Sequence, residues 1–162
     1  MIVFVSSTYR DLVEHREVIR LALETSGFQF RGMEQFPAQE DPPLEVALQA
    51  LDECDVYVGI VGELYGSSPP NRQLSYTELE YNHATAQDMY RIILVLNDDA
   101  SVNRAQVERD PGKLRRLTRF RNKLLKQHTV QKFGDVNEAA WKILAALNTY
   151  QTRLREERNQ ER

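Results

Sequence analysis

The sequence predicts an α/β fold in which helices cover both faces of one parallel sheet. Short apolar runs rich in β-branched residues alternate with segments that have helical periodicity. The runs are apolar at successive positions, which is typical of strands buried on both faces. Alternation of this kind implies parallel strands joined by right-handed crossovers. At 162 residues, the chain has the usual size of one domain.

Five segments have the composition of strands. The two clearest are "IVFVS" near the start and "VYVGIVG" in the middle of the chain; the others are shorter or alternate weakly. The predicted strands are residues 2–6, 28–34, 56–62, 91–97 and 129–133.

The helices between these strands are marked by their ends. Ser7 or Thr8 is a candidate N-cap for the first, which ends near Ser26 before Gly27. Asp41 caps the second, with Pro42 at the first helical position. We predict five helices. The first runs from after Thr8 to about residue 26, and the others are 42–54, 75–88, the basic stretch 113–127 and a last helix from residue 135 onward.

The last helix changes character along its length. Apolar residues recur at helical spacing up to Tyr150, whereas "RLREERNQER" has no apolar stripe. We therefore predict one domain over residues 1–150 and a charged helical extension over 151–162. The basic stretch 113–127 has its own apolar stripe, which favours a surface helix with one solvated face.

A five-stranded chain of this kind most often takes the flavodoxin-like strand order 2-1-3-4-5. Ligands then bind where the order reverses, at the carboxyl ends of strands one and three. Those ends are Ser6 to Tyr9 and Gly62 to Gly66. Ser6, Ser7 and Thr8 precede a helix, so they either cap it or form an anion site. Tyr9 and Tyr65 could stack on a base or pack as ordinary surface residues.

Two glutamates lie two positions apart in "SYTELEYNHA". Ser75 and Glu78 have the spacing of a capping box, in which Glu78 reaches back to the Ser75 amide. Glu80 is not needed for the cap and lies on another face of the helix, about 200° away. Periodicity alone leaves Glu80 either as a solvated carboxylate or as a functional one.

Composition limits the classes of function. The formal net charge of −3 does not favour nucleic-acid binding by the whole body. No apolar run approaches the ~20 residues of a membrane span, and the start does not resemble a signal peptide. The single cysteine, Cys54, excludes an internal disulfide and agrees with a cytoplasmic location. The histidines lack metal-ligand spacing, so we expect no metal site and no bound cofactor.

Three blocks in this order resemble the family called domain of unknown function 4062: "VFVSSTYRDLVEHREVIR", "CDVYVGIVGELYG" and "SYTELEYNHA". Members of this family are usually N-terminal modules of larger proteins with signalling NTPase domains or repeats. The family is similar to TIR domains and to nucleoside 2-deoxyribosyltransferases. The resemblance therefore implies a TIR-like three-layer sandwich, with self-association or docking to further domains.

The same resemblance selects Glu80. Both related groups carry a glutamate early in the helix after the third strand, and the deoxyribosyltransferase pattern is roughly Thr-x-x-Glu-x-x-x-Ala. Here Thr77, Glu80 and Ala84 have that spacing. The Trp-Cys pair of TIR-type NAD glycohydrolases is absent. What the resemblance implies is an enzyme that cleaves the N-glycosidic bond of NAD or a related nucleotide, with Glu80 as the catalytic carboxylate.

Two other functions remain open at this point: a non-catalytic interaction module and a nucleotide sensor without turnover. An effector role in bacterial immune signalling belongs to the enzyme hypothesis. Arg16 lies on an apolar stripe and could pair with Asp11 or Glu80, and Asp11 alone would be a first-turn helix-dipole residue. The candidate substrate-binding residues are Ser6, Ser7, Thr8, Tyr9, Asp11, Arg16, Gly62, Tyr65, Gly66, Ser75 and Thr77.

Overall fold

Five parallel strands form one sheet in the order β2-β1-β3-β4-β5, as the sequence predicts. A computed structural model describes residues 1–161. The strands are β1 (Ile2–Ser7), β2 (Gln29–Arg31), β3 (Val56–Val61), β4 (Tyr90–Leu96) and β5 (Gln131–Phe133). The helices are α1 (Val13–Thr25), α2 (Pro43–Asp52), α3 (Tyr76–Ala86), α4 (Pro111–Gln127) and α5 (Val136–Gln160).

The helices divide between the two faces of the sheet. On one face, α1 and α5 pack on alternate side chains of the central strands, such as Val3, Val5 and Val58. On the other face, α2, α3 and α4 pack around Phe4 and Tyr57. The central strands are buried on both faces, because each successive side chain enters one of these two cores. The result is the predicted three-layer sandwich.

Two helix boundaries differ from the predictions. Helix α1 starts at Val13 and has no side-chain cap, because the Thr8 hydroxyl bonds to the Asp11 carboxylate instead of a helix amide. Helix α2 starts at Pro43 with Pro42 at the N-cap position, and Asp41 makes no cap. Pro42 has an extended backbone (φ −58°, ψ 143°), so it lies before the helix.

The ends of the other strands and helices agree with the predictions in some cases and differ in others. β2 is only three residues long, because the chain turns at Gly32 into a short 3₁₀ turn, Met33–Gln35. Gly27 has φ +82° and ends the first helix as predicted. α5 continues without a break from Val136 to Gln160, through the predicted start of the extension at residue 151. The last residue of that predicted extension, Arg162, lies outside the described residues.

No helix within residues 1–161 is long and apolar enough to cross a membrane.

Candidate functional site

A cleft of about 680 Å³ opens at the carboxyl ends of β1 and β3, where the strand order reverses. Its size lies within the range of small-molecule sites. The floor includes Thr77 and Glu80 from α3, and one side includes Ser7, Thr8 and Tyr9 after β1. A wall of mostly apolar side chains comes from the segment after β2 and from α2: Met33, Phe36, Pro37, Ala38, Val46 and Ala47.

Glu80 lines this cleft. The Ser6 hydroxyl, at the end of β1, donates a hydrogen bond of 2.5 Å to Glu80 Oε2. The side chain is accessible from the cleft, but protein atoms surround the carboxylate on its other sides. Burial raises the pKa of Glu80 from 4.5 to about 7, although the Ser6 hydrogen bond and the charge of Arg16 act in the opposite direction. A carboxylate with this pKa can exchange its proton near neutral pH.

Glu78 has a separate, structural role on the same helix. Ser75 caps α3, since its Oγ accepts a hydrogen bond of 3.2 Å from the Glu78 amide. The predicted direct hydrogen bond from the Ser75 amide to the Glu78 carboxylate is replaced by one that runs through Tyr65. The Ser75 amide donates to the Tyr65 hydroxyl, which donates in turn to Glu78 Oε2 at 2.6 Å. Tyr65 is buried by this arrangement and does not line the cleft, so it is not placed to stack on a base.

The three hydroxyl protons of Ser6, Ser7 and Thr8 all have partners inside the protein. Ser6 donates to Glu80, Ser7 donates to the carbonyl of Thr8 at 2.7 Å, and Thr8 donates to Asp11. All three side chains are buried. The predicted anion site made of these hydroxyls therefore has no free hydroxyl donor, and their main task is to fix the end of β1.

Asp11 links the two loops that meet at the switch point. Its Oδ2 accepts hydrogen bonds of 3.2 Å from the amides of Glu63 and Leu64, just after β3. Asp11 thus precedes α1 and is not the predicted first-turn residue. Burial raises its pKa, and the hydrogen bonds from Thr8 and from these amides offset part of that rise. Gly62 is buried against this carboxylate, which leaves no room for a Cβ.

Arg16 is also buried, but it pairs with neither Asp11 nor Glu80. Its guanidinium forms a two-point ion pair with Glu34, in the turn after β2. It also donates to Ser7 Oγ at 2.8 Å and to the carbonyl of Val5 at 3.2 Å. Burial alone would raise the pKa of Glu34, but the hydrogen bonds and charge of Arg16 outweigh it and lower that pKa. Arg16 therefore ties the turn that carries the apolar wall to the end of β1.

The structure separates the predicted site residues into two groups. Six line the cleft: Ser7, Thr8, Tyr9, Gly66, Thr77 and Glu80. The other six lie behind it and hold these in place: Ser6, Asp11, Arg16, Gly62, Tyr65 and Ser75. At Gly66 the backbone has φ +89°, and an added Cβ would come within 2.8 Å of Thr8 Cγ2. The two loops around the switch point are thus packed tightly together.

Several cleft residues were not predicted from the sequence. The apolar wall includes loop residues, which have no periodicity to mark them. Arg10 lies three residues after the end of β1, and its position next to Tyr9 is the one signal that could have identified it. Glu108 and Lys113 reach the cleft from the loop after β4 and the first turn of α4. Nothing in their local sequence indicates this long-range approach.

The pKa of Glu80 leads to a prediction about stability. The folded state binds a proton at Glu80 more tightly than the unfolded chain does. The resulting stabilisation is complete below pH 4.5 and is lost as the pH rises through about 7. Glu80→Gln removes the desolvated charge, and we expect it to raise the free energy of unfolding at pH 8 by up to about 3 kcal/mol.

Urea unfolding of both proteins at pH 5 and pH 8 measures this effect. The gain of the variant over the wild type should be small at pH 5 and near its full size at pH 8. An equal gain at both pH values would contradict a raised pKa at Glu80.

Together, the parallel sheet and its open switch-point cleft define a flavodoxin-like α/β domain with a carboxylate in a ligand-sized site. The chain belongs to the family described as Domain of unknown function (DUF4062), whose model matches residues 2–148. No curated protein matches the chain in sequence.

One solved structure with a similar fold is a CMP N-glycosidase of Clostridium botulinum, BcmB. The TM-score is 0.52, and the match covers 90% of this chain and 99% of that one. The sequences are 17% identical, so the likeness concerns the fold.

Proposed function

We propose that the chain is a nucleotide N-glycosidase in which Glu80 is the catalytic carboxylate. The observation that carries this proposal is the position of Glu80: the residue lines the switch-point cleft, its carboxylate is held by the Ser6 hydroxyl, and its pKa is about 7. Enzymes shift carboxyl pKa values in this direction where a carboxylate takes part in chemistry.

The reaction breaks the bond between C1′ of the ribose and a nitrogen of the base. The base leaves with the bonding electrons, and positive charge develops at C1′. An ionised Glu80 stabilises this charge or attacks C1′ itself, and water then supplies the hydroxyl group. A cationic base such as nicotinamide leaves as a neutral molecule, and the proton from water goes to solvent. A neutral base such as cytosine takes up that proton.

Two further features of the site support an enzyme or a nucleotide sensor over a non-catalytic interaction module. The crevice at the switch point is open, whereas an interaction module has no need to keep it open. Glu80 is bonded to a serine and not neutralised by an arginine, since Arg16 pairs with Glu34. The CMP N-glycosidase with a similar fold supports a nucleotide as the substrate, and the resemblance to TIR-type enzymes supports NAD as one such nucleotide.

The test is release of free base from CMP and from NAD by the purified wild-type chain between pH 5 and pH 9. The chain is assayed at high concentration, with its oligomeric state recorded. We expect one of the two nucleotides to lose its base. The rate should fall tenfold per pH unit below about 7, as Glu80 becomes protonated.

Absence of base release from both nucleotides, in samples with confirmed folding, would count against the proposal. A rate that does not change between pH 5 and pH 8 would show that Glu80 does not act as an ionised group in the rate-limiting step.

A further inference from the structure

A nucleotide carries a phosphate, so the cleft needs a group that binds one. The hydroxyls of Ser6, Ser7 and Thr8 are at the expected place, but each donates its proton to another protein atom. Using one of them for a phosphate would break a bond that fixes the end of β1. A phosphate therefore needs donors other than these hydroxyl groups.

Arg10 and Lys113 are the cationic side chains that line the cleft. Arg10 lies three residues after the end of β1, and Lys113 lies in the first turn of α4. Within residues 1–161, neither side chain takes part in an ion pair or in a hydrogen bond to another protein group. Both are thus free to neutralise an anion.

Of the carboxylates that line the cleft, Glu108 is the nearest in sequence to Lys113, and both of its oxygens already accept hydrogen bonds. Glu108 Oε2 accepts the amide of Tyr65 at 3.2 Å, and Oε1 accepts the amides of Arg109 and Asp110 at 3.2 and 3.3 Å. The Tyr65 amide holds Glu108 against the loop after β3, and all three amides offset part of its charge. The other carboxylates of the cleft are Glu80, on the floor, and Asp41, at the end with the apolar wall.

Lys113 and the apolar wall approach the cleft from opposite halves of the sheet, and Arg10 follows the central strand β1 between them. The wall comes from the β2 side of the switch point, through the turn at Met33 and helix α2. Lys113 comes from the β4 side, since α4 follows β4 in the chain and contacts that half of the sheet. The base and the 5′-phosphate of a nucleotide also extend from opposite ends of the ribose.

We propose that Arg10 and Lys113 form a 5′-phosphate subsite, so that the substrate is a nucleotide and not the corresponding free nucleoside. The base then contacts the apolar wall, and C1′ of the ribose lies at Glu80. This assignment rests on the proposed function for the position of the ribose, whereas the phosphate subsite itself can be measured without any turnover.

The test compares binding of ribose 5-phosphate and of ribose to the full chain by calorimetry. Neither ligand has an N-glycosidic bond, so neither depends on catalysis. We expect ribose 5-phosphate to bind more tightly than ribose, and less tightly at high salt. Arg10→Gln and Lys113→Gln should each weaken binding of ribose 5-phosphate by about tenfold or more, because each removes one charge-assisted contact.

Arg115→Gln is the matched control. Arg115 is exposed on the same helix as Lys113, does not line the cleft, and its substitution changes the net charge equally. It should leave the affinity for ribose 5-phosphate unchanged. Equal weakening by all three variants would indicate only a general effect of charge and would overturn the assignment, as would wild-type binding that does not distinguish ribose 5-phosphate from ribose.

The outcomes also separate this inference from the proposed function. Binding of ribose 5-phosphate that depends on Arg10 and Lys113, without base release from any nucleotide, would support the subsite and reject the enzyme. Base release from CMP or NAD that both variants perform at the wild-type rate would support the enzyme and reject the subsite.

Discussion

Arg16→Met is expected to destabilise the fold by about 2–4 kcal/mol. Methionine fills much of the same volume, so loss of packing is a minor part of this change. The larger part is the loss of hydrogen bonds: Val5 O and Ser7 Oγ each lose a buried donor, and Glu34 loses its cation. Glu34 is partly exposed and can turn to solvent, which limits the cost. The buried carbonyl at the end of β1 has no such alternative.

Urea unfolding measures the change as a lower midpoint with an unchanged slope. Arg20→Met is the control on the same helix, because Arg20 forms only surface ion pairs with Glu17 and Glu24. The control should leave the midpoint close to that of the wild type. An Arg16→Met protein as stable as the wild type would show that the Arg16–Glu34 pair does not hold the turn after β2.

The strand order follows from features that are local in the sequence. The central strands are apolar at successive positions because they are buried on both faces, and strands alternate with helices along the chain. This pattern is repeated five times, so an error at one boundary does not change the topology. The boundaries themselves depend on single contacts. The start of α1 at Val13 depends on Thr8 bonding to Asp11, which competes with the cap that the sequence predicts.

The candidate site was predictable only in part, for a related reason. Glu80 could be distinguished from Glu78 because helical geometry and the capping pattern are properties of one short segment. The partner of Arg16 could not be found in this way, since Glu34 lies 18 positions further along the chain and belongs to a turn. The hydrogen bonds that link Tyr65 to Ser75 and Glu78 could not be predicted for the same reason, since the Tyr65 hydroxyl reaches the cap from another loop.

The central claim is that Glu80, and not its neighbour Glu78, performs the chemistry. The two residues form a natural pair for comparison. They lie on one helix, and the same substitution to glutamine removes one charge from each. In Glu78→Gln, the amide oxygen can still accept the Tyr65 hydroxyl, so α3 keeps its cap. In Glu80→Gln, the side chain can still accept from Ser6 but can no longer carry the negative charge that stabilises C1′.

The most direct measurement is therefore the rate of base release from CMP and NAD by the wild type, Glu78→Gln and Glu80→Gln, with folding and oligomeric state verified in the same samples. We expect Glu78→Gln to release base at close to the wild-type rate, and Glu80→Gln to be slower by at least about a hundredfold. A folded Glu80→Gln protein that releases base as fast as the wild type would contradict the assignment of Glu80 as the catalytic carboxylate.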